Sequence, residues 1–414
     1  MCTRRLRQTC AGSRDRPVPR PRPARVVLDR LASPSRYGSP VGALPFFILR
    51  PILMAKGTSL DRRDPDLARI RLIDDPERFG WAVLPHVARS FGASIVMLPK
   101  AAARAACVGY LYARMLDTLE DLVPDSAQRI AGLRWFATRF STGEMGTEAP
   151  EMEIVASSPQ EEVHRLLVER CGVVDRLYAR LPDGDREQVA ELVTRMAASM
   201  ELWSATFEHQ GGVLETEEQL ARYCDDVIGE PARFALGIVV RTPVSESLGR
   251  RIVKVSELVQ LANVTRDVER DLRHGVAYHP ALKPFLGCSA ADPYVRGQIR
   301  AVREELLIRA LRCVPAYAAL LAELRLPRLS AVRGSGLLML LFTDRYYRAC
   351  AVRVGREPWR GTRSKVGLLG SAVLSALSRR WAVRVARRIE ARFLAAADTI
   401  EGASASGEPV VLHP

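Results

Sequence analysis

Two pairs of aspartates could do chemistry in this chain. Asp117 and Asp121 are four residues apart, as are Asp267 and Asp271. On a helix that spacing puts both members of a pair on one face. Like charges so placed cost stability, and beside apolar text they cost more unless a cation neutralises them. Mg²⁺ suits such a role, because it takes hard oxygen ligands and is held through one or two carboxylates plus substrate phosphates. Each pair has an arginine nearby, Arg114 three residues before Asp117 and Arg266 next to Asp267. The segment Gln260–Asp271 adds Gln260 and Asn263 to the second pair, one polar stripe opposite Leu258, Leu261, Val264 and Val268. Taken singly, either pair could be a solvated acidic face. Two such faces across one cavity would form an ionisation site, with carboxylates holding Mg²⁺, Mg²⁺ and arginine holding a diphosphate, and apolar helices holding a greasy tail.

The elements that must position these residues read as helices. Ala, Leu, Arg, Glu and Val recur at helical spacing over Ala101–Asp121, Glu161–Arg180, Asp185–Gln210, Glu217–Val240 and Val244–Leu272. Strand-like alternation is nearly absent. Breaks are expected at Gly143–Pro150, Pro182–Gly184, Gly211–Gly212, Gly287–Pro293 and Pro327. The expected class is all-α. The expected organisation is an extension over residues 1–64, one helical domain over 65–370, and a basic amphipathic helix with a flexible tail over 371–414. In Val366–Phe393 many arginines alternate with Leu, Val and Ala, so either a solvated helix pair or a peripheral helix on anionic lipid fits.

Charge excludes one class of partner. The formal charge is +14, but residues 1–53 carry eleven Arg, no Lys and two Asp, which leaves 5 of the 14 for the rest. With no base-stacking or groove-reading motif, nucleic acid is not an expected partner. The Arg/Pro-rich lead reads as disordered; translation from Met54 explains it better than a targeting peptide does. Eight scattered cysteines form no CxxC pair or zinc spacing, as expected of reduced thiols in the cytoplasm. No run approaches spanning length, so membrane contact would be peripheral, at the inner face. His209 and His279 lack metal-ligand spacing, and no Gly-rich dinucleotide cradle is present.

Five motifs, in order, resemble those of the squalene/phytoene synthase family. Val87-Ala88-Arg89-Ser90-Phe91 with Leu98-Pro99 is similar to the opening motif. Tyr110 to Asp121, with Asp117-Thr118-Leu119-Glu120-Asp121, is similar to the first aspartate-rich motif in its squalene-synthase form. Tyr223 to Gly229 is similar to the cavity motif, and Gln260 to Asp271 followed by Gly275 to Pro280 is similar to the second aspartate-rich motif. Tyr347, Arg360, Arg363 and Lys365 resemble a C-terminal tyrosine and basic cluster.

The resemblance implies a class I terpenoid-synthase-like helical bundle with a central cavity, joining two prenyl diphosphates head to head through a cyclopropyl diphosphate. It implies Mg²⁺ on Asp117, Asp121, Asp267 and Asp271 with Asn263 assisting. It implies diphosphate on Arg89, Ser90, Arg114, Arg266 and Tyr278, and Tyr223, Gln260 and Tyr347 about the substrate. Squalene-type members finish with hydride from NADPH, phytoene-type members by losing a proton. The squalene form of the first motif slightly favours farnesyl over geranylgeranyl diphosphate. A single-substrate cyclase or lyase and a non-catalytic membrane assembly subunit are the alternatives. Departures from the pattern are Val276, where an arginine is common, and the acids Asp225, Asp226 and Glu230 with Pro231 around Gly229. Arg273 or His274 could replace the missing arginine.

Overall fold

The computed structural model describes residues 65–405 apart from 143, 144, 146–148, 242, 243, 325, 362 and 363, and excludes the side chains of residues 89, 90, 365 and 403–405. Residues 1–64 and the C-terminal residues 406–414 therefore lie outside the described residues. Fifteen α-helices make up the described chain. The first half comprises α1 (Leu67–Arg71), α2 (Pro76–Met97), α3 (Lys100–Leu122), α4 (Ser126–Thr142), α5 (Pro159–Glu169), α6 (Cys171–Tyr178) and α7 (Asp183–His209). The second comprises α8 (Glu217–Cys224), α9 (Glu230–Val240), α10 (Glu246–Arg273), α11 (Pro293–Arg312), α12 (Val314–Glu323), α13 (Ala331–Arg353), α14 (Lys365–Leu377) and α15 (Arg379–Ala405). Among the described residues the sole β pairing is an isolated bridge between Val213 and Ala277.

The expected helices appear with differences that have local causes. The stretch read as one helix over Glu161–Arg180 is two, broken at Arg170. The guanidinium of Arg170 donates to the Ile73 carbonyl at 3.0 Å and to Asp74 at 3.1 Å, so a tertiary anchor sets the break. Between α8 and α9 the chain widens into a π-turn over Asp225–Gly229, in which Glu230 N–H bonds the Asp225 carbonyl. Pro231 follows directly; it lacks an N–H and its ring would clash with the carbonyl four residues back. A wider turn relieves that clash, and such turns recur at functional sites.

Two apolar cores form. One gathers α2 to α7 around Leu84, Leu111, Leu116 and Leu133. The other gathers α8 to α15 around Leu258, Leu261, Leu338 and Phe393. Buried apolar side chains at roughly 25 cal/mol per Å² dominate the stability of such a fold. The helix α3 is central to the first core, buried along most of its length from Ala102 to Leu119. Gly109 lets α9 lie close to it: a Cβ there would stand 2.4 Å from the Phe234 ring. The proposed boundary at residue 370 falls inside α14, and α15 packs through Ile389, Phe393 and Ala397 into the second core.

Candidate active site

The first acidic face lies on α3. Arg114 donates to the Tyr110 hydroxyl at 3.0 Å, and that hydroxyl donates to the Val87 carbonyl of α2 at 3.1 Å. So held, Arg114 pairs with Asp117 at 3.2 Å. Burial pushes the Asp117 carboxyl up to about 6, with Arg114 opposing and Asp121 reinforcing the rise. Glu120 goes up to about 8, from burial and then from Asp121 and Asp117, against Arg129. Burial raises Asp121 as well, opposed by Arg114, Arg270 and His274. Water reaches Asp121, yet protein surrounds most of its carboxyl. Both are true of a side chain on a concave wall.

The second face lies on α10. Asn263 donates to the Gln260 side-chain oxygen at 3.2 Å. Arg266 grips Asp267 with two bonds, at 2.8 and 2.5 Å, and stacks 5.6 Å above the Tyr346 ring. Asp271 is pushed up to about 7 by burial first; Asp267 and Asp121 add to the rise, and Arg270 and Arg266 oppose it. The influence of Asp121 on Asp271 is the key observation. It means that the ends of the acidic faces of α3 and α10, remote in sequence, lie near one another.

Two phenols stand beside these acids. The hydroxyls of Tyr223 and Tyr278 are 3.4 Å apart and their rings 5.2 Å apart, with Phe207 edge-on to both. Burial raises both phenols, with Asp271 adding for Tyr278 and Glu120 and Asp121 for both, so each keeps its proton as a donor. Local geometry places Tyr278. Helix α10 ends on Gly275 at φ 76°. Val276 N–H bonds the Asp271 carbonyl at 2.9 Å, and Gly275 N–H bonds that of Leu272 at 3.1 Å, a left-handed glycine cap. Ala277 then exchanges bonds of 2.8 and 3.0 Å with Gly212 and Leu214. A Cβ on Gly212 would lie 2.1 Å from the Gly275 carbonyl, so only glycine fits that clamp.

Asp121, Asp271, Tyr223 and Tyr278 thus come together, with Arg114 and Asp117 beside Asp121 on α3 and Gln260, Asn263, Arg266 and Asp267 preceding Asp271 on α10. The side chains of Arg89 and Ser90 lie outside the described residues, as do those of Arg363 and Lys365. Tyr347 is elsewhere: it is fully buried, donates to the Leu258 carbonyl at 2.5 Å and packs on Phe393. Its neighbour Tyr346 is the aromatic that reaches Arg266. The sequence does not single out Glu120, Phe207 or Arg270 as members of the acidic site, and it offers His274 only as a substitute for the arginine missing at Val276. Glu120 sits inside the first motif and could have been singled out; the others join the site only through tertiary approach. Asp225, Asp226 and Glu230 are engaged locally, Asp225 with Arg233 at 2.7 Å, Glu230 with Arg233 at 3.0 Å, and Asp226 with the Trp203 indole at 2.9 Å. His279 caps the following 3₁₀ turn and contacts Glu305 at 3.2 Å.

The donor set fits a hard divalent cation. Among the described residues, no three of His, Cys, Asp or Glu converge closely enough to hold a metal by themselves. Carboxylates are instead split between two walls, where burial raises Asp117 and Asp271 above the usual carboxylate range. Such a set suits Mg²⁺ that completes its shell with phosphate oxygens and water.

The solved complex of TcSQS with the ligand BPH1237 is similar in fold, with a TM-score of 0.59 at 18% identity, covering 79% of this chain and 96% of that one. The fold is that of an all-helical isoprenoid synthase. The model of the squalene/phytoene synthase family matches residues 84–365, and the chain belongs to that family. A squalene synthase of Schizosaccharomyces pombe is 29% identical over 204 residues, 46% of this chain and 41% of the relative. A phytoene synthase of Thermus thermophilus is 30% identical over 164 residues, 36% of this chain and 48% of the relative. The matched part spans less than half the length of either relative.

Proposed function

We propose that the protein joins two prenyl diphosphates head to head, with farnesyl diphosphate as the favoured substrate. The observation that carries this reading is the approach of Asp121 on α3 to Asp271 on α10, beside two protonated phenols. One substrate would place its diphosphate between the two walls and its tail among apolar helices. Asp117, Asp121, Asp267 and Asp271, with Asn263 beside them, would hold Mg²⁺, which when bound stabilises charge developing on the departing diphosphate. Arg114 and Arg266 are each already oriented by a carboxylate, and would hold phosphate oxygens from opposite sides. Tyr278 and Tyr223 would donate to the same group while Phe207 and the aliphatic walls exclude water. In the first step C1 of one substrate loses its diphosphate and a proton and forms bonds to both carbons of the other's double bond, giving the cyclopropyl diphosphate. In the second, the other diphosphate leaves and the rearranged cation is quenched.

The form Asp117-Thr118-x-Glu120-Asp121 supports a farnesyl substrate and a squalene-type product, with NADPH as the hydride source. A geranylgeranyl substrate with proton loss is the second reading, supported by the likeness to the Thermus thermophilus phytoene synthase. A location in the cytoplasm against the inner membrane face suits a water-insoluble product. The test is incubation of the full chain with Mg²⁺ and either substrate, with and without NADPH, and mass analysis of the organic extract. A C30 or C40 hydrocarbon is the expected result. Diphosphate release with only C15 or C20 products would replace coupling by cyclase or lyase chemistry, and no turnover would favour an assembly subunit.

A further inference from the structure

The apolar face of α15 is turned into the body, where Ile389, Phe393, Ala397 and Ile400 are buried. It therefore cannot be the interfacial helix that the basic sequence of this region suggests. Helix α14 differs. Val366, Val373, Leu374 and Leu377 expose 81%, 47%, 46% and 56% of their surface. Gly370 completes the row, exposed and with open space around it. At about 100° per residue these positions share an arc of roughly 100°. The opposite side, Leu368, Ala372 and Ser375, is buried, so α14 is seated firmly with its second apolar face outward. Single exposed apolar residues are ordinary, but a periodic row on one helix marks an interaction face.

Charge identifies what covers it. From residue 358 to 389 the sequence has eight Lys or Arg and no Asp or Glu. Arg379 and Arg380 directly follow the stripe, and Arg384, Arg387 and Arg388 follow on α15. Among the described residues, Arg380, Arg384, Arg387 and Arg388 have no carboxylate partner, whereas most arginines elsewhere in the fold are paired. A protein partner with an apolar face would not require this excess. An anionic lipid surface supplies both an apolar layer and phosphates beside it. Among the described residues no helix is long and apolar enough to cross a membrane, and α14 has only 13 residues. A helix of that kind lies in the interface plane.

We propose that α14 docks the protein on an anionic bilayer, the Val366–Leu377 stripe entering the headgroup boundary and the neighbouring arginines binding lipid phosphates. The inference is independent of the catalytic reading, since none of the described side chains of α14 belongs to the acidic walls.

The test is flotation of the full-length protein with vesicles of phosphatidylcholine alone or mixed with phosphatidylglycerol. Binding to the mixed vesicles is expected, falling at least ~tenfold in high salt or without the anionic lipid. The combined substitution Val373→Asp, Leu374→Asp and Leu377→Asp should reduce flotation at least ~tenfold, with helicity and melting unchanged because these side chains face outward. Arg384→Glu with Arg387→Glu and Arg388→Glu should abolish the preference for anionic lipid. Failure of the native protein to float, or flotation of the triple aspartate variant like the native protein, would overturn the proposal. So would a native dimer that this variant splits without any change in flotation, which would make the stripe an interface between copies.

Discussion

Replacing Asp271 by asparagine should remove activity and at the same time stabilise the metal-free fold. The Asp271 carboxyl is pushed from 3.8 up to about 7, mainly by burial and then by Asp267 and Asp121. A carboxyl raised in this way binds its proton more tightly in the folded chain than in the unfolded one. Its contribution to stability is full below about pH 4, declines as pH rises toward 7, and is gone above that. Taken whole, the rise is worth about 4 kcal/mol; water reaches part of this side chain, and screening reduces the expected effect to about 1–2 kcal/mol. Asparagine keeps the shape of the protonated acid without the charge. The Asp271→Asn protein, freed of metal by chelator, should therefore melt roughly 1–3 °C higher than the native protein at about pH 8, and the gain should shrink to near zero by about pH 4.5. Thermal melting followed by circular dichroism at the two pH values measures this, beside a turnover assay with Mg²⁺. A lower melting temperature at pH 8, or a gain equal at both pH values, would refute the electrostatic account of the two facing walls.

Other expectations follow from the same geometry. Asp117→Ala and Asp267→Ala should each lower kcat by roughly 10²–10³-fold or more while the far-ultraviolet spectrum stays native; near-normal turnover in both would mean that the metal is held elsewhere. Tyr278→Phe removes one donor whose bond to Tyr223 is long at 3.4 Å, so stability should change by less than about 1 kcal/mol, whereas kcat should fall by roughly ten- to a hundredfold if the phenol donates to a charged diphosphate. Asp175→Asn acts on stability alone: Asp175 is fully buried, accepts from Tyr112 at 2.5 Å and pairs with buried Arg139. Breaking that pair should cost about 3–5 kcal/mol, read from denaturant unfolding, with Mg²⁺ dependence of turnover unchanged in the folded fraction.

Helical periodicity and the four-residue spacing of the aspartates are local properties, and they were legible from the sequence. They identify the long helices of the site and the two acidic faces, because a helix converts sequence spacing directly into a shared side. Three features resisted such reading. The break at Arg170 depends on carbonyls near Ile73, almost a hundred residues upstream, which no local pattern reports. The acids around Gly229 stand out from sequence as departures from the family pattern, and only the structure shows that Arg233 and Trp203 engage them. Tyr347 looked like a ligand contact, but one register step decides which of two adjacent tyrosines meets Arg266, and it is Tyr346.

The sequence by itself therefore determined the helical class, the family motifs and the residue types of the site. Tertiary structure alone decided that Asp121 and Asp271 share one space, that Arg270 joins them, and that α14 rather than α15 turns an apolar face outward. The physical reason is common to all three. Charge and burial act through space over a few ångströms, while spacing along a chain reports only neighbours on the same helix.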